Sequence, residues 1–275
     1  MALPTYASNL ERLWRYVFLL ICALILLFLI APILVIAPLS FSSEPYFTYP
    51  LPGLSLRWYQ EFFTSDRWQV AVTNSIIVAV SSTALSTFLG TLAALGLSRA
   101  KLPFRGLIMS LLISPMIVPI VITAVGMYFF YAMIGLANTY IGLILAHAAL
   151  ATPFVVITVT ATLTGFDHSL TRAAASLGAS GTRTFFKVTM PLILPGITSG
   201  ALFAFVTSWD EVVVALFLAS PEQRTLPRQM FSGIREQISP TITAAATLLI
   251  CLSILLLVSV ELLRRRSERL RGIAN

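Results

Sequence analysis

The sequence predicts an all-α polytopic membrane protein with six transmembrane helices. Of its 275 residues, 57% are hydrophobic and 11% are charged, and the mean hydropathy is +0.90. Soluble globular domains carry about 25% charged residues, so this composition excludes an ordinary soluble enzyme or binding domain. Six apolar runs are long enough to cross a hydrocarbon core of about 30 Å. They cover residues 17–39, 70–98, 106–133, 140–164, 192–218 and 241–263.

The N-terminal part, residues 1–69, contains the first run and a polar loop. The first run exceeds the apolar core of a signal peptide, which is about 7–15 residues, so we expect a retained helix. In the loop, large apolar residues recur on one helical face and predict a short interfacial helix on the outer surface. These residues are Leu54, Trp58, Tyr59, Phe62 and Phe63. A partner contact and a simple aromatic belt are both open interpretations of this face.

Prolines and small residues shape two of the central runs. Pro115 and Pro119 predict a broken helix in the third run, because each ring removes a backbone donor. The second run begins with Asn74-Ser75 and is rich in Gly, Ala and Ser, which favours close helix packing. Cys22 and Cys251 both lie in apolar runs, so we expect each to be a small buried apolar side chain. Neither a disulfide nor a pair of metal ligands is predicted.

The distribution of basic residues predicts the orientation of the chain. Six spans place both termini on the same side of the membrane. With the N-terminus in the cytoplasm, thirteen of the eighteen Lys and Arg residues lie inside and five lie outside, in agreement with the positive-inside rule. The loop 166–190 and the basic tail 264–275 are then cytoplasmic. The net charge of +7 is explained by this bias, without a nucleic-acid partner.

The cytoplasmic loop between spans four and five predicts two short helices at a bend. Asp167 or Ser169 can cap the first helix, and apolar residues recur on one of its sides. Gly178 follows where a C-cap glycine would end it, since glycine adopts positive φ without steric cost. A basic and aromatic segment comes next, containing Arg183, Phe185, Phe186 and Lys187.

This loop resembles the EAA loop of type I ABC importer permeases, which is the coupling helix that seats in a groove of the cytoplasmic ATPase. The match runs through Ala173, Ala174, Gly178, Phe186 and Pro191, whereas Arg172 stands where that family has Glu. An ordinary cytoplasmic connector is the alternative, and the predicted topology favours the coupling loop. The residues expected to contact the ATPase are Arg172, Ala173, Ala174, Leu177, Gly178, Phe185, Phe186 and Pro191.

The resemblance extends over most of the chain. Residues 70–263 look like the five-helix permease core, and residues 1–69 look like an additional first helix and outer loop. The segment SWDEVVVALFLA at 208–219, followed by TLP at 225–227, is similar to polyamine-type permeases (spermidine/putrescine importers). The resemblance implies a bacterial inner-membrane permease that receives a small, cationic solute from a periplasmic binding protein. Relatives with other cargo share much of this segment, so the same role for another small organic or amino-acid-derived solute is the alternative. The resemblance also implies a dimeric ABC ATPase and a second, different permease chain as partners.

ATP hydrolysis is expected to belong to another polypeptide. A P-loop requires Gly-Lys-Ser/Thr, whereas Lys101 and Lys187, the only lysines, follow Ala and Phe. The chain is therefore predicted to be a non-catalytic subunit with no cofactor of its own, and ATP and Mg²⁺ would bind to the ATPase.

Trp209, Asp210 and Glu211 form the candidate substrate pathway. By count they lie near mid-membrane, where a carboxylate costs a few kcal/mol and normally faces a cavity or a partner. One interpretation is a negative patch for a cationic cargo, with the Trp209 ring available for a cation–π contact. The other is a structural carboxylate that pairs with a partner subunit or caps broken backbone. No arginine lies within the spans, so no internal partner is evident.

Other functions use the same residues. A secondary transporter could bind a coupling ion at Asp210 and Glu211, although no internal repeat supports it. An intramembrane enzyme is disfavoured, because catalytic acids generally come from separate helices so that they can lie on both sides of the bond, and adjacent acids on one helix cannot easily do so.

His147 is expected to form a hydrogen bond across helices, with metal binding and proton relay as alternatives. Glu261 is expected to pair with Arg264 or Arg265 at the membrane surface.

Overall fold

The computed structural model describes residues 8–98, 102–236 and 238–270, excluding the side chains of 236 and 260–270. In these ranges the chain forms helices and no strand. The helices are α1 Asn9–Leu39, α2 Arg57–Thr64, α3 Asp66–Leu97, α4 Arg105–Ile117, α5 Ile120–Met133, α6 Tyr140–Thr164, α7 Ser169–Ser176, α8 Gly181–Thr184, α9 Met190–Trp209, α10 Val213–Leu218, α11 Leu226–Glu236 and α12 Pro240–Leu270. A π-helical turn, Phe185–Thr189, joins α8 to α9. The side chains of the predicted Glu261 ion pair and residues 271–275 of the basic tail lie outside the part of the chain that the structure describes.

The number of membrane spans agrees with the prediction when one bent pair is counted as a single span. Within the described residues, five helices are long and apolar enough to cross a membrane, and α4 and α5 form a sixth candidate that bends by 103°. The bend lies at Val118 and Pro119. Val118 adopts an extended conformation, with φ −69° and ψ 134°, because the ring of a following proline disfavours the helical region. The predicted break is therefore confirmed at Pro119, while Pro115 lies inside α4.

The fifth apolar run, residues 192–218, forms two helices that are separated by a short break. The helix that precedes the break is continuous from Gly181 to Trp209 through the π turn, so the second helix of the loop is the first part of the span. At the other end, residues 210–212 interrupt the helix before α10 begins. Hydropathy alone missed this interruption, because the residues on either side of it are strongly apolar.

The chain divides into two compact units, Met1–Phe63 with Glu236–Cys251, and Thr64–Arg235 with Leu252–Asn275. In the second unit, α3, α6 and α9 pack together around small and β-branched side chains. The buried cluster at this junction comprises Ala94, Ala151, Val155, Val159, Leu163, Ile193, Ile197 and Ala204. The predicted division at residues 69/70 and 263/264 stays a prediction.

Glycines allow the three helices to approach closely. A Cβ atom on Gly90 of α3 would lie 2.6 Å from the Val155 Cβ, and one on Gly200 of α9 would lie 2.9 Å from the Val155 Cα. Both distances are shorter than side chains tolerate, so α6 contacts its two neighbours at positions where they lack side chains. Small residues at helix contacts are the usual means of close packing in membranes, which agrees with the predicted packing of the second run.

The first unit contains α1, α2 and the beginning of α12. The predicted interfacial helix is present as α2, and it begins at Arg57, so Leu54 lies outside it. Trp58 and Phe62 are buried, and the Trp58 Nε1 donates a hydrogen bond of 2.6 Å to the Ser42 carbonyl. Phe63 is exposed. Part of the predicted apolar face therefore packs within this unit.

Replacing Gly90 with Leu tests the close helix contact. The new side chain would overlap Val155, and we expect a loss of about 1–3 kcal/mol in the free energy of unfolding. Gly96→Leu on the same helix is the matched control, because nothing lies within 4 Å of its Cβ position. Thermal unfolding of the two purified variants in detergent measures the difference. Equal stability of the two variants would contradict this packing.

Candidate functional site

The first helix of the loop 166–190 has defined ends. The Asp167 carboxylate accepts hydrogen bonds from the Ser169 backbone N–H, at 2.8 Å, and from the Ser169 hydroxyl, at 2.6 Å. The bond from the Ser169 side chain is the largest of the effects that lower the pKa of Asp167 below its ordinary value. Of the two predicted capping residues, Asp167 is thus the acceptor at the start of α7.

Gly178 ends α7 as predicted. Its φ is +79°, a conformation that residues with a Cβ rarely adopt. The Gly178 N–H bonds to the Ala175 carbonyl at 2.9 Å, and the Ala179 N–H bonds to the Ala174 carbonyl at 3.0 Å. These two bonds form a Schellman motif, which satisfies carbonyls that the end of the helix leaves free.

The tip of the loop presents apolar side chains to its surroundings. Leu177 is 89% exposed, and Leu170 and Phe186 are also exposed. Arg172 and Ala173 are exposed on α7, whereas Ala174 and Phe185 are half-buried. The loop thus carries a small apolar surface together with three exposed cations, Arg172, Arg183 and Lys187.

The π turn lies where the loop enters the membrane helix. Its Met190 N–H bonds to the Phe185 carbonyl, five residues earlier. Pro191 follows directly, and its ring removes a donor and crowds the carbonyl of residue 187. A widened turn at this point relieves that conflict. Pro191 therefore marks the joint between loop and span.

The two adjacent acids of the candidate pathway have different environments. Asp210 follows the last residue of α9 and is exposed. Glu211 is 6% exposed, and its Oε1 and Oε2 accept hydrogen bonds from the Val214 and Ala215 backbone N–H groups at 2.9 and 3.1 Å. The Glu211 carboxylate therefore caps the start of α10, which was the structural alternative for this pair of acids.

His147 connects the break in the helix to α6. Its Nδ1 lies 2.8 Å from the Ser208 Oγ, so the predicted hydrogen bond across helices is confirmed. Ser82 of α3 donates to the same Ser208 oxygen at 2.9 Å. The His147 Nε2 lies 3.7 Å from the Glu211 Oε2. The expectation that no internal partner exists for the acids was wrong for Glu211.

Sequence reasoning missed Ser82 and Ser208 as members of this network. Ser208 directly precedes the candidate pathway residues, which is a weak local signal. Ser82 lies more than a hundred positions away in sequence, and nothing in a hydropathy pattern relates the two.

Trp209 is buried between its neighbours. It is 7% exposed and stacks on Phe205, with ring centroids 5.6 Å apart and an interplanar angle of 15°. Its Nε1 has no hydrogen-bond partner among the described residues. Of the three candidate pathway residues, only Asp210 is exposed.

The candidate loop and the candidate pathway are not adjacent. They lie at the two ends of α9, which has 20 residues and is therefore about 30 Å long. Any influence of one on the other passes along this helix and its contacts.

The segment that follows α10 is fastened by polar contacts to α3 and α6. The Asn74 Nδ2 donates to the Glu222 and Arg224 carbonyls, at 2.8 and 3.0 Å. The Ser75 hydroxyl accepts from the Leu226 N–H at 2.7 Å.

At the C-terminal end of α10, the Arg228 Nη1 donates to the Ala219 carbonyl at 2.5 Å. The short helix α10 is thus held at its start by Glu211 and at its end by Arg228.

The unequal environments of the two acids predict unequal effects on stability. Glu211→Ala leaves two buried N–H groups without an acceptor, and we expect it to lower the free energy of unfolding by about 1–3 kcal/mol. Asp210→Ala removes an exposed carboxylate and is the matched control, with an expected change within about 0.5 kcal/mol. Thermal unfolding in detergent compares the two. A larger loss for Asp210→Ala would contradict the assigned roles.

Comparison with known proteins places the chain among transport components. The family described as "Binding-protein-dependent transport system inner membrane component" matches residues 86–271. The spermidine/putrescine transport system permease protein PotC of Haemophilus influenzae is 31% identical over 241 residues, which cover 88% of this chain and 93% of that protein.

Two further relatives differ in the solute that they are named for. The putrescine transport system permease protein PotI of Escherichia coli (strain K12) is 34% identical over 245 residues, 86% of this chain and 85% of that protein. The sulfoquinovosyl glycerol transport system permease protein SmoH of Agrobacterium fabrum is 33% identical over 190 residues, 68% of this chain and 67% of that protein.

Among solved structures, a chain of a bacterial ABC transporter involved in the import of the acidic polysaccharide alginate has a similar fold. The TM-score is 0.72 with 18% identity, over 96% of this chain and 99% of that chain. At this identity the likeness concerns the fold. The family match over residues 86–271 and the similarity to PotC over 88% of this chain show that the chain belongs to the inner-membrane permease components of binding-protein-dependent ABC importers.

Proposed function

We propose that this permease moves a small organic cation of the polyamine type from the periplasm into the cytoplasm. The observation that carries the proposal is the exposed carboxylate of Asp210, which lies at a break in a membrane helix. Within the part of the chain that the structure describes, no Lys or Arg side chain pairs with it. The relatives PotC and PotI are named for putrescine or spermidine transport, which supports a cationic cargo.

The position of Asp210 favours a cation physically. An ionised carboxylate at membrane depth costs several kcal/mol unless water or a counter-charge stabilises it. A diammonium cargo that passes the site supplies such a charge for the duration of the passage. Glu211 is already used by the backbone of α10, so the charge available to the cargo comes from Asp210.

The loop formed by α7, Gly178 and α8 is the proposed docking element for an ABC ATPase. Its exposed Leu177 and Phe186 give it an apolar surface, as a protein contact requires. The ATPase dimer would bind ATP and Mg²⁺, and α9 would carry movement of the loop toward Asp210. A periplasmic binding protein and a second, different permease chain complete the proposed assembly, and both termini of this chain face the cytoplasm.

A different small organic solute is the second candidate. SmoH, which is named for sulfoquinovosyl glycerol transport, has an identity similar to that of the polyamine relatives. Relatives of similar sequence identity are thus named for different solutes, so the uptake of polyamines and of uncharged solutes has to be compared directly.

Asp210→Asn tests the cationic cargo. Removal of the charge should raise the putrescine concentration for half-maximal uptake about tenfold or more, because contacts to a charged group contribute about 1.5–3 kcal/mol. Uptake of labelled putrescine into proteoliposomes containing the whole transporter measures this. Asp66→Asn, at the exposed start of α3, is the control. Unchanged putrescine uptake by Asp210→Asn would refute the proposal and direct attention to uncharged solutes.

Gly178→Val tests the docking loop. A β-branched residue is strongly disfavoured at φ +79°, so α7 should lose its defined end. We expect ATPase co-purification and uptake to fall at least tenfold. Backbone strain of about 1.4 kcal/mol or more at residue 178 would weaken the contact between the loop and the ATPase by that factor. Gly165→Val, at the end of α6 and outside the docking element, is the matched control, since its φ is −90° and the nearest atom to its Cβ position is the Thr162 carbonyl oxygen at 4.0 Å. Full ATPase recovery with Gly178→Val would show that this loop is a plain connector.

A further inference from the structure

The break between α9 and α10 has a buried polar support on α6. We propose that His147 is a positioning residue, which holds both sides of the break and thereby fixes the exposed Asp210 carboxylate toward the cargo. This inference rests on the proposed function of Asp210 in cation transport. His147 itself is 1% exposed, so it acts through Ser208 and Glu211.

The contacts of Ser208 suit one tautomer of the imidazole, which we adopt in this proposal. The Ser82 hydroxyl can donate either to the Ser208 Oγ, at 2.9 Å, or to the Ala79 carbonyl of its own helix, at 3.2 Å. When Ser82 donates to Ser208, the Ser208 hydrogen is directed at the His147 Nδ1, 2.8 Å away. A neutral imidazole that accepts at Nδ1 carries its hydrogen on Nε2.

In this tautomer the Nε2 hydrogen lies on the side of the ring that faces Glu211. The distance from Nε2 to the Glu211 Oε2 is 3.7 Å, which exceeds an ordinary hydrogen bond of about 2.9 Å. The contact is an attraction between an N–H dipole and a carboxylate in a site that excludes water, since the two side chains are 0% and 3% exposed. Electrostatic contacts are strong in such surroundings.

The two contacts lie on either side of Asp210 in sequence. Ser208 belongs to the last turn of α9, and Glu211 caps α10, so residues 209 and 210 lie between two anchored positions. The anchor itself is rigid, because α6 packs against α9 through Val155 and Gly200. Leu143, Ala146 and Leu150 of α6 also share a buried cluster with Val214 and Leu218 of α10.

Other roles for His147 lack support. Within the described residues, no group of three or more His, Cys, Asp or Glu side chains could hold a metal ion. A residue that only filled space would not need two polar partners, and apolar side chains of similar size would serve without the cost of burying nitrogen atoms.

A double-mutant cycle tests the positioning role. His147→Leu, Asp210→Asn and the combination are compared in proteoliposomes with the whole transporter and labelled putrescine. We expect His147→Leu to raise the half-saturating concentration about tenfold, with the combination no worse than Asp210→Asn alone, because residues that act through each other are not additive. His147→Gln should recover most of the loss, since its amide can accept from Ser208 and donate toward Glu211.

Two further variants complete the test, one as a control and one as a substitute for His147→Leu. Thr152→Val is the matched control, because Thr152 also lies on α6 and its hydroxyl donates to the Ala148 carbonyl of that same helix. If His147→Leu does not assemble, Ser208→Ala removes the donor to Nδ1 at little cost in packing and should raise the half-saturating concentration in the same direction.

The outcomes separate the two proposals. Additive losses in the combined variant, or unchanged transport by His147→Leu, would overturn the role of His147 while the effect of Asp210→Asn upholds the cationic cargo. Unchanged uptake by Asp210→Asn would overturn both.

Discussion

Backbone N–H and C=O groups at membrane depth must find their partners within the protein, and the break between α9 and α10 depends on how that requirement is met. Where α9 ends, the chain leaves the helical pattern for three residues, and the carboxylate of Glu211 supplies the acceptors that the next turn needs. The interruption is thereby stable, and it leaves Asp210 exposed. A continuous helix would have bonded the same backbone without any acid, so the acid and the interruption belong together.

Close helix packing is the second requirement of this arrangement. Because Gly90 and Gly200 present no side chains to Val155, α6 lies near enough to both neighbours for His147 to contact a residue of α9. Bulkier residues at those positions would hold the helices apart and separate the imidazole from Ser208. The polar network at the break thus depends on apolar packing about two helical turns away.

Much of this architecture could be predicted from sequence, and the reasons are local. Run length and hydropathy predicted the spans, because a bilayer imposes one length on every crossing segment. Pro119 and Gly178 predicted a bend and a helix end, since each has a backbone preference that context rarely overrides. The break after Trp209 could not be found in this way. The partners of Glu211 are main-chain groups and a histidine on another helix, and neither leaves a mark in a hydropathy pattern.

The charge of Arg172 affects which ATPase the proposed docking loop can contact. Arg172 is exposed on α7 at the position where the resembled family carries a glutamate, so the sign of the charge at the joint is reversed. A groove that evolved to receive an anion would repel it, since like charges across an interface suppress wrong pairings. An ATPase that docks on this loop as proposed would therefore have to accept a cation at this position, unlike an ATPase that serves glutamate-bearing loops.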